Sequence, residues 1–320
     1  MRRNPMLFPM LLLAILPACG GGGGGGNASP YTGLTTPAVI SASNADNIAR
    51  LAFQGGDLGA STSLAPARTG DTPKTAGKPM VLTLVPFLSG AANAVFPGPA
   101  AVRAPQPRST ETGRLYDGQG IGWADFTLNV NDQTGQFTGA FVFTNFHGDG
   151  GGVIDGRVAV SGVAGQYSVQ ILFDFQSVHV VDPGSGEDLS AYGTLNLAIE
   201  PGTGNVVGGV TLNMVFVDNV THKTLWLSDV TLGETVGTGF VDVTISGRIY
   251  LHDYGYVDMT TVMPFHYPSG DSFPSSGRFI VTGKDNTKVQ LTVVDSSRYR
   301  LDVDTNGDDL WEVTSGVLDW

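Results

Sequence analysis

From Leu115 to Trp320 the chain places apolar side chains at every second position, and this pattern restricts its fold more than any other feature. In "WADFTLNV", Phe126, Leu128 and Val130 fall on one side while Thr127 and Asn129 fall on the other. "QYSVQILFDF" repeats the pattern with Tyr167, Val169, Ile171, Phe173 and Phe175. "VTLNMVFVD" does so with Val210, Leu212, Met214 and Phe216, and "FVDVTISGRIYL" with Val241, Val243, Ile245, Ile249 and Leu251. A period of two is the signature of an extended strand with one buried face. Turn-forming pairs such as Asn131-Asp132, Pro183-Gly184, Pro201-Gly202 and Asp285-Asn286 separate the runs, giving about a dozen strands. No helical stretch long enough for a parallel crossover lies between them, so the expected sheets are antiparallel. Their apolar faces must be covered, which predicts a mainly β fold, an antiparallel sandwich or a barrel-like pair of sheets. Gly139, Gly208, Gly209 and Gly247 within the runs predict bulges or sharp bends. Residues 115–320 read as one β domain, with 233–239 as a place where it would divide.

Upstream the pattern changes. "SASNADNIARLAFQGG" carries helical spacing: Ser43 or Asn44 as cap, Ile48, Leu51 and Ala52 on one face, Gly55 and Gly56 as the stop. One short helical segment is therefore expected over 38–56. Residues 57–114, including "FPGPAAVRAPQPRST", are rich in Ala, Pro, Gly, Ser and Thr and read as a low-complexity linker. Only Met80 to Leu88 within it is apolar enough to form a strand or lie against the main domain.

The first residues read as an export signal over 1–18: Arg2 and Arg3, an apolar run from Met6 to Leu16, then small residues. That run is too short to span a bilayer. Leu16-Pro17-Ala18-Cys19 resembles the lipobox of bacterial lipoproteins, with Pro17 where a small residue is usual. The resemblance implies cleavage before Cys19 and acylation of that residue with palmitate-type chains. It also implies a membrane anchor, and Gly20 after the Cys matches members passed on to the outer membrane. Multiple acyl chains anchor stably where a single one is marginal. Residues 19–37, with the run Gly20 to Gly26, read as a slack tether between lipid and body. Cys19 is the only cysteine, so no disulfide can form within one chain.

Removing Arg2 and Arg3 with the leader, and no acid, takes the formal charge from −12 to −14. An acidic surface argues against a nucleic-acid partner and against an electrostatic grip on anionic lipid. The expected partners are the membrane, through the N-terminal lipid, and an envelope protein or glycan.

"DVDTNGDDLWE", from Asp302, is the sharpest chemical motif. Asp302, Asp304 and Asn306 alternate, Gly307 permits a tight turn and Asp308 follows, which resembles the first half of an EF-hand-type calcium loop. The resemblance implies side-chain oxygens from Asp302, Asp304 and Asn306 and the carbonyl of Asp308 as Ca2+ ligands. The sequence departs from it at the twelfth position, Val313, with Glu312 one residue early, and its flanks read as strands. Asn306-Gly307 is equally a hairpin turn signal. His147, His179, His222, His252 and His266 show no metal-ligand spacing. "GDSFPSSG" resembles the GDS start of a lipase family, implying Ser272 as nucleophile, but no Asp-x-x-His follows. No catalytic residue is assigned. An aromatic last residue, Trp320, resembles the closing signal of outer-membrane barrels, although the outward positions carry Asp and Thr. The leading expectation is an outer-membrane lipoprotein acting as a structural or binding module. The alternatives are an envelope hydrolase acting on polysaccharide or ester, and an integral β-barrel.

Overall fold

A computed structural model describes residues 31–55, 109–117, 120–131, 133–147, 153–165, 167–182, 187–200, 206, 208–269, 271 and 273–320. The leader, Cys19, the glycine run, Met80 to Leu88 and Ser272 lie outside these residues. One helix, α1 (Ala45–Gly55), precedes the strands β1 (Ser109–Tyr116), β2 (Trp123–Val130), β3 (Gln136–His147), β4 (Val153–Ala164), β5 (Val169–Asp182), β6 (Glu187–Ile199) and β7 (Gly209–Asp218). There follow β8 (Thr224–Gly237), β9 (Phe240–Leu251), β10 (Gly255–Pro268), β11 (Ser276–Thr282), β12 (Lys288–Asp295), β13 (Arg298–Asp304), β14 (Val313–Thr314) and β15 (Leu318–Asp319). All fifteen form one antiparallel sheet in which each strand from β1 to β14 pairs with its sequence neighbour, and β15 returns to β13. The mainly β, antiparallel class with a single short helix is thus as the alternation requires. The ladder stays open, because its two ends do not pair. β1 starts ahead of Leu115, and β8 and β9 meet in one hairpin, so the sheet continues through 233–239.

The expected apolar faces are the buried ones. Val169, Ile171, Phe173 and Phe175 of β5, Val210, Leu212, Met214 and Phe216 of β7, and Val243, Ile245, Ile249 and Leu251 of β9 all belong to one core cluster. Full burial of such a side chain contributes about 1.5–3 kcal/mol, which fixes the register against a one-residue slip. Thr127, Asn129, Thr211, Asn213, Thr244, Ser246, Asp258 and Thr260 stand exposed on the other face. Tyr167, placed on the inner face by its spacing, instead lies exposed in the turn before β5.

A sheet with one apolar face must curl around it, and bulges supply the curvature. Gly247 marks one of them. Its φ is +129°, and a Cβ there would stand 2.6 Å from the Cα of Val230, opposite the register shift between Ser228 and Thr231.

α1 covers part of the core. Ile48, Ala49, Ala52 and Phe53 are buried, and the Phe53 ring lies 4.9 Å from those of Phe265 and Trp320. Asn44 does not cap forward: its Oδ1 accepts from the Ser41 amide at 2.8 Å and its Nδ2 donates to the Val39 carbonyl. Trp320 stacks on Phe53 and Phe273 and lies tilted against Tyr299, so this aromatic residue has a packing role. Ahead of α1, residues 31–41 cross the end of the strands. Leu34 donates to the His252 carbonyl, Ala38 to that of Tyr256, and Lys284 to that of Ala38. Gly255 permits this crossing, with φ +94° and a hypothetical Cβ only 2.0 Å from the Thr36 carbonyl oxygen.

Candidate metal centre

β13 and β14 form a hairpin whose register, Asp302↔Thr314 and Val303↔Val313, sets Glu312 across from the start of the loop at Thr305. Tyr299, Leu301 and Val303 point into the core, so Asp302 and Asp304 lie on the outer face. Asp304 ends β13 and is fully buried. Its Oδ1 accepts from the amides of Gly307 (2.6 Å) and Asn306 (3.2 Å), and its Oδ2 from that of Asp309 (2.9 Å). The same step repeats along the loop: Asn306 Oδ1 accepts from the Asp308 amide and Asp308 Oδ1 from the Leu310 amide, both at 2.9 Å. Side chains that bond the backbone two residues on hold alternate oxygens on one side of a turn.

Glu312 closes the loop, its Oε2 accepting from the Thr305 amide at 2.7 Å and from the Thr305 hydroxyl at 3.2 Å. One carboxylate oxygen each from Asp304, Asp308 and Glu312 lies within 4.8 Å of the others. Among the described residues this is the one group of His, Cys, Asp or Glu side chains with metal-holding geometry. Three carboxylates at that distance repel one another, and hard oxygen donors favour Ca2+ or Mg2+ over softer metals. Lys288, at the start of β12, pairs with Asp309, whose carboxyl this ion pair holds below the usual range.

The structure thus redistributes the expected ligand set. Asp304 and Asp308 converge, and Asn306 is tied to Asp308 through its Nδ2 (3.3 Å). Asp302 stands apart: its carboxylate accepts from the Thr314 hydroxyl (2.8 Å), Gln290 (3.3 Å) and Arg300 (3.4 Å). Glu312 joins instead. The helix-flanked calcium loop counts twelve positions from Asp302, whereas a hairpin return brings Glu312 back toward Asp304. The signal was present in the strand-like flanks, which imply a hairpin frame.

Four of the five histidines are engaged singly. His147 Nδ1 lies 2.8 Å from the buried Asp117 carboxylate, His179 pairs with Asp188 and His266 with Asp242, and His252 faces Thr224. Burial alone would push the Asp117 carboxyl up. Bonds from the amide and ring of His147 and the amides of Gly122 and Ile121 outweigh this and hold it well below the usual carboxylate range. Comparison of the chain with protein-family models, with curated proteins and with solved structures gives no match.

The sheet and the loop together define a class: an open, antiparallel β body with an oxygen-lined hairpin at one end.

Proposed function

We propose that this chain is a lipid-anchored lipoprotein of the bacterial outer membrane. Its β body acts as a structural or binding module for an envelope protein or glycan, and its C-terminal hairpin loop binds calcium. The observation that carries the anchor is the position of the sole cysteine, Cys19, directly behind Leu16-Pro17-Ala18. The body supports it: apolar side chains turn inward and Thr, Asn and Asp turn outward, the reverse of what a lipid-embedded barrel needs. The convergence of Asp304, Asp308 and Glu312 supports the ion, whose role is to stiffen the hairpin rather than to perform chemistry. Cell fractionation of a Cys19→Ala variant tests the anchor. The variant is expected to leave the membrane fraction, and unchanged membrane association would refute the proposal.

A further inference from the structure

The described chain enters the body at one particular end of the sheet. The Thr32 amide donates to Thr224 Oγ1 (3.1 Å) at the start of β8, and the Leu34 amide to the His252 carbonyl (3.0 Å) in the β9–β10 turn. Cys19 precedes Tyr31 by twelve positions (31 − 19), a length of chain that spans at most about 40 Å. An anchored Cys19 therefore keeps this end within about 40 Å of the bilayer.

The registers put the C-terminal loop at the same end. Leu225 pairs with Leu251, Leu251 with Gly255, Asp258 with Thr282, Thr282 with Lys288, and Lys288 with Asp304. The five strand steps from β8 to β13 cover about 24 Å. The entering segment itself crosses toward the loop: Lys284 donates to the Ala38 carbonyl at 2.6 Å, and Asn286 Nδ2 to the Gly307 carbonyl at 3.1 Å.

This end also exposes apolar side chains at its tips. Leu310 is 66% and Trp311 39% exposed in the loop, alongside Leu34 (51%), Val39 (56%) and Val220 (67%). Tryptophan beside leucine at an exposed turn suits the membrane–water interface, where the ring is half apolar and its N–H stays wet. These apolar tips share the end at which the tether enters, and a bilayer held by that tether would cover them.

We propose that the Leu310–Trp311 tip, with Leu34, Val39 and Val220, is a membrane-contact patch that lays this end of the body on the bilayer holding the anchor. The proposal rests on the lipid-anchor reading. It is tested with the acylated full-length mature protein in phosphatidylcholine vesicles with brominated acyl chains, in EDTA so that no cation takes part. Of the four tryptophans, Trp123, Trp226, Trp311 and Trp320, only Trp311 belongs to the patch. The bromines are expected to quench part of the emission, and Trp311→Phe to abolish that part. Val236→Asn, at the opposite end and 72% exposed in the native chain, is expected to leave it intact. Quenching that is absent, or unchanged in Trp311→Phe, overturns the patch when mass spectrometry of the same sample shows acylated Cys19. An unacylated Cys19 overturns the anchor and the patch together.

Discussion

Replacing Asp304 by Ala separates two roles of one carboxylate. Without a cation, Asp304 accepts three backbone amides, from Asn306, Gly307 and Asp309. Hydrogen bonds to charged groups contribute about 1.5–3 kcal/mol each, but these amides belong to a loop open enough to rehydrate, so about 1 kcal/mol each is lost. Against that loss of about 3 kcal/mol stands relief of repulsion with Asp308 and Glu312, whose oxygens approach within 4.8 Å. Asp308 and Glu312 stand exposed, so water screens each such pair to about 1 kcal/mol. The net loss in EDTA is about 1–2 kcal/mol, a fall in Tm of roughly 2–8 °C for a body of this size. Calcium at a hundred times its Kd would stabilise the native protein by about 2.7 kcal/mol and the variant not at all. The gap between the two proteins should thus widen to about 4 kcal/mol. Thermal unfolding followed by circular dichroism, with EDTA and with millimolar calcium, measures both gaps. Equal gaps would remove Asp304 from any ion site, and a gap below about 0.5 kcal/mol in EDTA would refute the argument from the amides.

Other perturbations test separate parts of the account. Asp302→Asn should leave the calcium-dependent rise in Tm intact, because that carboxylate bonds Thr314, Gln290 and Arg300, whereas Glu312→Gln should abolish most of it. The opposite result would restore the helix-flanked frame. Asp117 has its folded pKa depressed, so its stabilisation is present above the unfolded value of about 3.9 and is lost as pH falls below it. Asp117→Asn should therefore flatten the decline of stability below about pH 4 in denaturant titrations, and an unaltered slope would deny the carboxylate this role. Gly255→Ala forces a side chain into positive φ and against the Thr36 carbonyl, so it should cost more than about 1 kcal/mol and expose residues 31–41 to limited proteolysis. Wild-type protease resistance in that variant would show that the segment is not held there.

The β architecture was legible because alternation is a local property. Leu212, Met214 and Phe216 announce their face wherever the strand ends up. That one sheet would run unbroken from β1 to β14 was not legible, since a two-residue period describes each strand and not the order in which strands pair. The bend at Gly247 could be read from a glycine in a strand, but its cause, the approach of Val230, belongs to the neighbouring strand. At the loop after β13, Asp304, Asn306 and Asp308 could be read from their spacing. Glu312, one residue early for the twelve-position count, falls into place only once the strand-like flanks are taken as a hairpin that returns β14 onto β13. The helix was placed by its apolar spacing, whereas its partner Trp320 sits at the far end of the sequence.

Above all, the account depends on a fatty-acylated cysteine at the mature amino end. Mass spectrometry of the N-terminal peptide from native membranes examines this directly. The expected spectrum shows a chain beginning at Cys19 and carrying diacylglyceryl and N-acyl groups. An unmodified Cys19, or a mature chain beginning elsewhere, would contradict the account.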